Sequence, residues 1–307
     1  MSDFAFHGWP TRMPVARIAY VNGRYVRHAQ AGVHIEDRAL QFSDGIYEVV
    51  GVVNGFPLNE EFHLDRLERS LRELDMAMPM ARAPLKFVIH EMARRNRIRD
   101  GLIYMQVTRG ALRRDHAVPA VQPRPTLIIT ARSMDPAQLA ARRQKGVAVI
   151  TQPDIRWGRR DIKSTSLLAN ILAKTEARKA GVFEAWLVDD DGFVTEGSST
   201  SAWIVDKDGN IVTRSLSHAI LPGVTRRAIF AAAAEAQIAI VERNFTVAEA
   251  LSAREAFMSA ATLGATAIVS IDGVKIGDGK PGPLTRRLQE IFVARAERLA
   301  HAQESSQ

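Results

Sequence analysis

Lys163 is the first residue whose surroundings suggest chemistry. It lies in segment 161–166 (DIKSTS), between an apolar residue and a group of hydroxyl side chains, just before an apolar helical pattern. An amine held in a partly dry site loses its proton easily and can form a Schiff base with an aldehyde. Taken alone, these six residues fit an exposed loop lysine better, so the interpretation needs support from elsewhere in the chain.

A second unusual segment is 194–200 (VTEGSST), in which Glu196 is followed by a glycine and then by consecutive hydroxyl side chains. Such a carboxylate can hold a protonated heteroaromatic nitrogen, and the hydroxyl and backbone N–H groups can bind an anion. An ordinary polar turn explains the segment equally well.

A third segment, 221–227 (LPGVTRR), places Val224 and Thr225 at a predicted helix start. The first N–H groups of a helix lack intrahelical partners and can bind a phosphate, although many helices begin this way without binding anything. A lysine, a carboxylate beside hydroxyl groups and a phosphate seat are together what pyridoxal 5'-phosphate requires: an amine for the aldehyde, an acid for the ring nitrogen and N–H donors for the phosphate. The residues therefore favour a pyridoxal phosphate site as a hypothesis.

The first half of the chain contains the elements that must position these groups. Asn22-Gly23 and Asn54-Gly55 each separate two apolar-polar alternating runs, which predicts two tight hairpins. Apolar residues at three-and-four spacing predict a helix over 59–78 with Asn59 as its N-cap, and a second helix opening with Pro84. Strands and helices combined with tight hairpins predict an α+β fold.

Segment 133–138 (SMDPAQ) is the best linker candidate because it is polar and carries a proline before the next helical pattern. We therefore divide the chain into an N-terminal domain, 1–133, and a C-terminal domain, 134–307. In the second domain the pattern predicts a helix over 166–181 and another with Pro222 in its first turn.

Composition excludes several classes of protein. The chain has 307 residues, 46% of them apolar and 24% charged, as in an ordinary globular protein of about two domains. Cysteine is absent, which excludes disulfides, thiolate metal sites and a catalytic cysteine and fits a reducing cytosol. The eight histidines show no metal-ligand spacing, so we expect no metal site. Nucleotide-binding glycine motifs, a zinc-protease motif and a serine-hydrolase motif are all missing.

The net charge of +7 raises the question of nucleic acid. Basic residues occur as scattered pairs with acids between them, and only 7% of residues are aromatic, so we expect no nucleic-acid binding and a surface that attracts small anions instead. The longest apolar run, 228–234, is far shorter than the roughly 18 residues that span a bilayer. The first residues do not form a signal peptide, which favours a cytoplasmic location.

At this point the sequence resembles the fold-type-IV aminotransferases that depend on pyridoxal phosphate, and within them the bacterial D-amino-acid aminotransferases. The similarity extends from about Ile18 to Phe292. Its motifs occur in the family's order: EDRALQFSDGIYEVV, HLDRLERS, YMQVTRGALRRDH, DIKSTSLLANILAKTEA, VTEGSS, LPGVTR and IDGVKIGDGKPGPLTRRLQ. The resemblance implies a smaller N-terminal α/β domain with substrate and dimer contacts, a larger C-terminal domain with the catalytic lysine, and the cofactor between them.

The resemblance also assigns roles to residues that bind the cofactor. Lys163 matches the lysine that bonds to the cofactor and moves the substrate proton, and Glu196 matches the carboxylate that keeps the pyridine nitrogen protonated. Arg66, in HLDRL, matches a phosphate-binding arginine. The remaining phosphate contacts would be Val224, Thr225 and Thr262.

Substrate binding in this family depends on how the α-carboxylate is held. Tyr47 matches a tyrosine of the first domain, and Arg114 and His116 match an Arg-x-His pair that reaches the site from the neighbouring subunit. A phenol, a guanidinium and an imidazole together suit one carboxylate. A solvated basic loop is the alternative for this pair, and Arg113 could take the place of Arg114.

The chain departs from the family pattern at three places. Ser201 stands where relatives often have asparagine, and a hydroxyl-rich stretch is reduced to Ala261-Thr262-Leu263. Residues 1–17 extend beyond the family start, and no role is evident for them.

The resemblance thus implies an enzyme that transfers the amino group between D-amino acids, D-alanine or D-glutamate, and 2-oxo acids by a ping-pong mechanism, as at least a homodimer. The Arg-x-His pair favours this branch. Alternatives with the same fold are a branched-chain or (R)-amine transaminase and a lyase of the aminodeoxychorismate type.

Overall fold

The structure is a computed structural model that describes residues 17–304, with side chains for residues 17–298. Most of the extension noted above, residues 1–16, lies outside this range. The described chain forms two β-sheets, each with helices packed against it.

The first sheet contains the strands of the first half of the chain, all paired antiparallel in the order β2-β1-β6-β5-β3-β4. The strands are β1 (Ile18–Val21), β2 (Arg24–Arg27), β3 (Gly45–Val53), β4 (Phe56–Pro57), β5 (Gly101–Thr108) and β6 (Thr126–Ser133). A short 3₁₀ helix (His28–Gln30) and helices α1 (Arg38–Phe42), α2 (Glu60–Glu73) and α3 (Arg82–Arg95) complete this half.

Helix α2 packs its apolar stripe on this sheet. Leu64, Leu67 and Leu71 recur at three-and-four spacing and are at most 1% exposed. They join the side chains of α3 and of one sheet face in a single core. Both predicted hairpins are present, because the Asn-Gly pairs at 22–23 and 54–55 adopt positive φ at both positions.

The second sheet has nine strands in the order β12-β11-β10-β13-β14-β7-β8-β9, with β15 on β14. It is mixed, since β7 runs parallel to both β8 and β14. The strands are β7 (Val147–Pro153), β8 (Glu184–Val188), β9 (Val194–Gly197), β10 (Ser201–Val205), β11 (Ile211–Thr213), β12 (Ile240–Glu242), β13 (Glu255–Ala260), β14 (Gly264–Ile271) and β15 (Val274–Lys275). The helices are α4 (Pro136–Lys145), α5 (Leu168–Lys179), α6 (Val224–Glu235), α7 (Val247–Leu251) and α8 (Pro283–Glu304).

These elements confirm the α+β prediction. The segment that carries Lys163 connects the two sheets: Ile46 of β3 forms a bridge with Ser164, and the Tyr47 N–H donates to the Lys163 carbonyl at 2.9 Å. The predicted linker is shorter than expected, because β6 continues to Ser133 and α4 already begins at Pro136.

One predicted helix start is confirmed and two differ from the structure. Asn59 is the N-cap residue of α2, although its φ of 52° is left-handed and its side chain makes no cap hydrogen bond. Helix α3 begins at Arg82, two residues before Pro84. Helix α6 begins at Val224, because Gly223 is the extended N-cap residue and Pro222 precedes it. None of the described helices is both long and apolar enough to cross a membrane.

Candidate active site

A cavity of about 470 Å³ lies between the two sheets. Seven of the site residues expected from the sequence line it, although they come from distant parts of the chain. They are Tyr47, Arg66, Lys163, Glu196, Val224, Thr225 and Thr262.

Lys163 is held at the end of β3 by backbone pairing. Its carbonyl accepts from the Tyr47 N–H. Thr165, two residues later, donates its N–H to the Gly45 carbonyl at 2.9 Å. The Lys163 Nζ lies 4.2 Å from the centroid of the Tyr47 ring, on whose face an ammonium is favourable. The amine therefore projects into the cavity from a fixed backbone.

Asp161 fixes the same segment from the other side. Arg69 of α2 donates to its carbonyl oxygen at 2.9 Å and to its carboxylate at 2.6 Å, and Arg159 bonds the carboxylate at 3.0 Å. Burial tends to raise the pKa of this carboxyl, but the hydrogen bonds from Arg159 and Arg69 outweigh it and lower the pKa to about 2. Asp161 is therefore an anion that ties the lysine segment to α2.

Glu196 of β9 is buried in the cavity wall. The Arg156 Nη1 donates to it at 2.5 Å, and the Leu221 N–H approaches both carboxylate oxygens at 3.3 Å. Burial raises the pKa of Glu196 above its ordinary value, while Arg156 opposes the rise. A carboxyl in such a balance can share a proton with a basic ring nitrogen.

Arg66 is positioned by a buried network that the sequence analysis missed. Its Nε and Nη2 donate to the Glu48 carboxylate at 2.7 and 2.8 Å, and Nη1 donates to the Pro222 carbonyl at 3.1 Å. His63, one helical turn before Arg66, bonds the same carboxylate through Nδ1 at 2.7 Å. Burial lowers the pKa of His63 despite Glu48, so the imidazole is neutral and its Nδ1–H donates to the carboxylate.

The start of α6 faces the cavity next to Arg66. Gly223 is its N-cap residue and supplies no side chain, so the first-turn N–H groups of Val224 and Thr225 remain open toward the cavity. A Cβ at Gly223 would lie 3.0 Å from the Ser201 hydroxyl oxygen, so a larger residue would crowd this corner. Thr262, in the turn between β13 and β14, lines the same cavity.

The hydroxyl segment after Glu196 forms the remaining wall. Ser198 and Ser199 both donate to the buried Glu184, the latter at 2.6 Å. A Cβ at Gly197 would collide with the Thr200 hydroxyl, which explains the glycine directly after Glu196. The Thr200 hydroxyl is buried without a hydrogen-bond partner among residues 17–298.

This set of groups fits pyridoxal 5'-phosphate. The cavity offers one lysine amine, one buried carboxyl with a raised pKa, and an arginine beside an open helix N-terminus. Those are the partners that an aldehyde, a pyridine nitrogen and a phosphate need. Over residues 17–298, no cluster of His, Cys, Asp or Glu is suited to holding a metal ion.

Arg114 and His116 are not brought to the cavity of their own chain. Both are exposed in the loop between β5 and β6, where they pack against the Phe42 ring with centroid distances of 5.0 and 5.3 Å. Arg38 fixes this loop by donating to the carbonyls of Asp115 and His116 at 2.6 and 3.2 Å. Arg113 is also exposed and lies outside the cavity lining.

The sequence contains one signal for the network of Glu48, His63 and Arg66, and none for Arg156. His63 and Arg66 lie at i and i+3 of a predicted helix, which places them on one face. Nothing in the pattern shows that Arg156 meets a carboxylate forty positions away, because such contacts depend on the register of the folded sheet.

Comparisons with known proteins identify relatives of the chain. Residues 45–271 match the family model described as amino-transferase class IV. The chain is 39% identical to a D-alanine aminotransferase of Listeria monocytogenes over 276 residues, covering 89% of this chain and 94% of that protein. It is 38% identical to a D-alanine aminotransferase of Bacillus licheniformis over 268 residues, covering 87% and 93%.

Solved structures give the same result for the fold. The Escherichia coli branched-chain amino acid aminotransferase superposes with a TM-score of 0.83 at 25% identity, over 91% of this chain and 94% of that one. A branched-chain amino acid aminotransferase from T.th., solved with pyridoxamine 5'-phosphate, also gives 0.83, at 26% identity over 92% and 94%.

Proposed function

The chain belongs to the class IV aminotransferase family, and on that basis we propose that it transfers the amino group of D-alanine or D-glutamate to a 2-oxo acid with pyridoxal 5'-phosphate as cofactor. The D-alanine assignment is supported by relatives of that name at 37–39% identity over almost nine-tenths of the chain. The observation that carries the proposal is the convergence of Lys163, Glu196 and Arg66 on one cavity.

Transamination exchanges an amino group for a carbonyl oxygen without net oxidation. The donor loses its Cα–N bond and its Cα hydrogen and becomes a 2-oxo acid, while the carbonyl carbon of the acceptor gains the amino group and one hydrogen. When bound, pyridoxal 5'-phosphate carries the amino group between the two half-reactions and withdraws electrons from the donor Cα as its proton leaves.

The residues of this chain supply the rest of the chemistry. Lys163 takes the proton from the donor Cα and returns one to the acceptor carbon in the second half-reaction, as its fixed position at the cavity wall allows. Glu196 holds a proton at the pyridine nitrogen. Arg66 and the first N–H groups of α6 bind the phosphate. The Tyr47 hydroxyl donates a hydrogen bond to the substrate α-carboxylate.

A branched-chain amino-acid transaminase is the second candidate, because both superposed structures above are named branched-chain amino acid aminotransferases. Their identity to this chain is 25–26%, against 37–39% for the D-alanine aminotransferases. The (R)-amine transaminase and the lyase have no comparable observation in their favour.

An absorbance titration separates these candidates. The purified enzyme, loaded with pyridoxal 5'-phosphate, is mixed separately with D-alanine, L-leucine and (R)-1-phenylethylamine, and conversion of the cofactor absorbance is followed. Conversion fastest with D-alanine is the expected result. Fastest conversion with L-leucine or the amine would replace the substrate assignment, and no cofactor absorbance after loading would overturn the whole proposal.

We further propose that the active unit is a homodimer in which each subunit supplies Arg114 and His116 to the site of the other. The support is that both side chains lie outside the cavity of their own chain, on a loop braced by Arg38. Helix α5 also exposes an apolar stripe next to the lysine segment. It consists of Leu168, Ile171 and Leu172, which are 71%, 58% and 51% exposed.

Complementation tests the shared site directly. Lys163→Ala and Arg114→Ala subunits are each nearly inactive alone, but a mixed dimer has one site with both side chains intact. Random mixing after dissociation should restore about a quarter of wild-type activity. No recovery in verified mixed dimers would show that Arg114 serves its own chain or neither.

The stripe on α5 gives an independent test of the dimer. Ile171→Glu should shift the sedimentation of the protein to that of the monomer, whereas Glu176→Lys, on the flank of the same helix, should not.

The division of the chain at residues 133 and 134, the cytoplasmic location and the expected lack of nucleic-acid binding stay predictions.

A further inference from the structure

The cavity contains more positive charge than the cofactor uses. Among its lining residues Glu196 is the sole acid, and it is already bonded to Arg156. Four of the lining arginines are paired with carboxylates. They are Arg66 with Glu48, Arg156 with Asp154 and Glu196, Arg160 with Asp154, and Arg226 with Glu242.

Arg17 and Arg132 are different. Neither has an acidic partner within ion-pair distance in the described part of the chain, yet both line the cavity. Arg17 donates Nη2 to the Ala131 carbonyl at 2.9 Å, which places it beside Arg132 on β6, and its Nε is buried without a hydrogen-bond partner. Two cations thus line one end of the cavity, and among residues 17–298 no acidic side chain pairs with either.

The strand register shows which end this is. On β6, Ile129 and Ala131 point into the helix-covered core, so Thr130 and Arg132 point to the cavity. Arg132 pairs with Leu102 of β5. Tyr47 is on β3, two strands away from β6, and its position is offset from that of Arg132 by four residues along the strands. Strand geometry therefore puts the Cα atoms of Tyr47 and Arg132 roughly 16 Å apart.

The surface between these two positions is suited to a short carbon chain. It is lined by Val49, Leu102 and Tyr104. Burial raises the pKa of Tyr104 to about 12, so its hydroxyl keeps its proton and donates to the Gln106 side chain at 2.7 Å. The wall therefore offers no charge between Tyr47 and the two arginines.

From this arrangement we infer that Arg17 and Arg132 bind the second carboxylate of a dicarboxylic substrate, 2-oxoglutarate or D-glutamate. A substrate whose α-carboxylate lies at the Tyr47 end places its side chain along the apolar wall toward the arginines. The inference rests on the proposed transamination and adds the residues that select a dicarboxylate. An arginine that meets a carboxylate forms charge-assisted hydrogen bonds, which are stronger than neutral ones.

Two acceptors of equal length test it. 2-Oxoglutarate and 2-oxopentanoate differ only in a terminal carboxylate or methyl group. With D-alanine as donor, Arg132→Leu should lower the ratio of kcat/KM for 2-oxoglutarate to that for 2-oxopentanoate by about tenfold or more, mainly through KM. Arg132→Lys should recover part of the ratio. Arg24→Leu, an exposed arginine of β2 outside the cavity, is the matched control and should leave the ratio as in the wild type.

Binding without turnover separates failure of this inference from failure of the proposed function. Calorimetry with glutarate and pentanoate on the cofactor-loaded protein should show glutarate binding weakened in Arg132→Leu by a similar factor. If D-alanine is no donor but glutarate still depends on Arg132, the subsite stands and the donor assignment falls. Equal ratios of acceptor kcat/KM, or of dissociation constants, in wild type and Arg132→Leu would overturn the subsite.

Discussion

The guanidinium of Arg156 is bonded to the carboxylate of Glu196, with Nη1 and Oε1 at 2.5 Å, and both side chains are 8% exposed. Arg156 also binds Asp154 through Nη2 at 2.8 Å, so one cation serves two buried carboxylates. Burial raises the pKa of Glu196 above its ordinary value although this positive charge opposes the rise.

Removing Arg156 should raise the pKa of Glu196 further, because burial then acts without opposition. Since the ionised carboxylate is needed to hold a proton at the ring nitrogen, the acid limb of the pH profile of kcat should move to higher pH in Arg156→Leu. We expect kcat at neutral pH to fall about 10²-fold. Glu196→Gln is the control, because a group that cannot ionise should lose this limb. An unmoved acid limb in Arg156→Leu would contradict the role of the pair.

Lys163→Ala should remove the covalent attachment of the cofactor and almost all turnover, by about 10⁴-fold or more, because no other lysine lines the cavity in the described residues. Reduction with borohydride followed by peptide mass spectrometry should find the cofactor on Lys163 in the wild type and on no residue of the variant. Lys145→Ala, an exposed lysine of α4, should behave as the wild type. Labelling at another lysine, or full activity in Lys163→Ala, would end the assignment.

Glu48→Gln should weaken cofactor binding by roughly tenfold, because it frees Arg66 from the position in which Nη1 meets the Pro222 carbonyl. It should also cost about 3 kcal/mol of unfolding free energy, since a buried guanidinium is left without its counterion. The measurements are the dissociation constant of pyridoxal 5'-phosphate and urea unfolding of the protein without cofactor.

The triple variant Glu48→Leu, Arg66→Met and His63→Leu removes the whole buried network and separates the two effects. Replacing a buried ion pair with apolar groups is often close to neutral for stability, so unfolding free energy should largely recover while cofactor affinity should not. Recovery of both quantities together would mean that Arg66 has a structural role only.

Local signals in the sequence predict the tight turns and single out the residues with unusual neighbours. The Asn-Gly turns require positive φ, and Lys163 and Glu196 stand in polar segments that no core explains. Both kinds of signal lie within a few residues of chain. The proposed role of Arg114 and His116 has no local signal of this kind, because contacts between two chains leave no periodic pattern in the sequence.

Long-range pairing was beyond the sequence for a physical reason. Asp161 looks like an ordinary loop acid, and its role depends on Arg69, which is 92 positions earlier on α2. The same holds for Glu48. It is next to Tyr47 on β3, so its side chain points to the opposite face of the sheet, away from the cavity, and only the fold shows that it binds Arg66 there.

Asp161→Asn should change the acid stability of the protein in a defined pH window. The folded pKa of about 2 lies below the unfolded value of about 3.9, so the charged form stabilises the fold. This stability is fully present above about pH 4 and is lost as the pH falls toward 2. We expect a difference in unfolding free energy between wild type and variant of about 1 kcal/mol at pH 6, a modest value because Arg69 and Arg159 are partly exposed and screened.

Urea unfolding at pH 6, 4, 3 and 2.5 measures this difference. It should shrink steadily below pH 4, and Asp190→Asn, at an exposed turn, should show no such trend. Because Asp161 holds the backbone two residues before Lys163, kcat at neutral pH should fall as well, even where the variant is fully folded. A pH-independent stability difference with normal kcat would mean that Arg69 orders the lysine segment through its hydrogen bond to the Asp161 carbonyl alone.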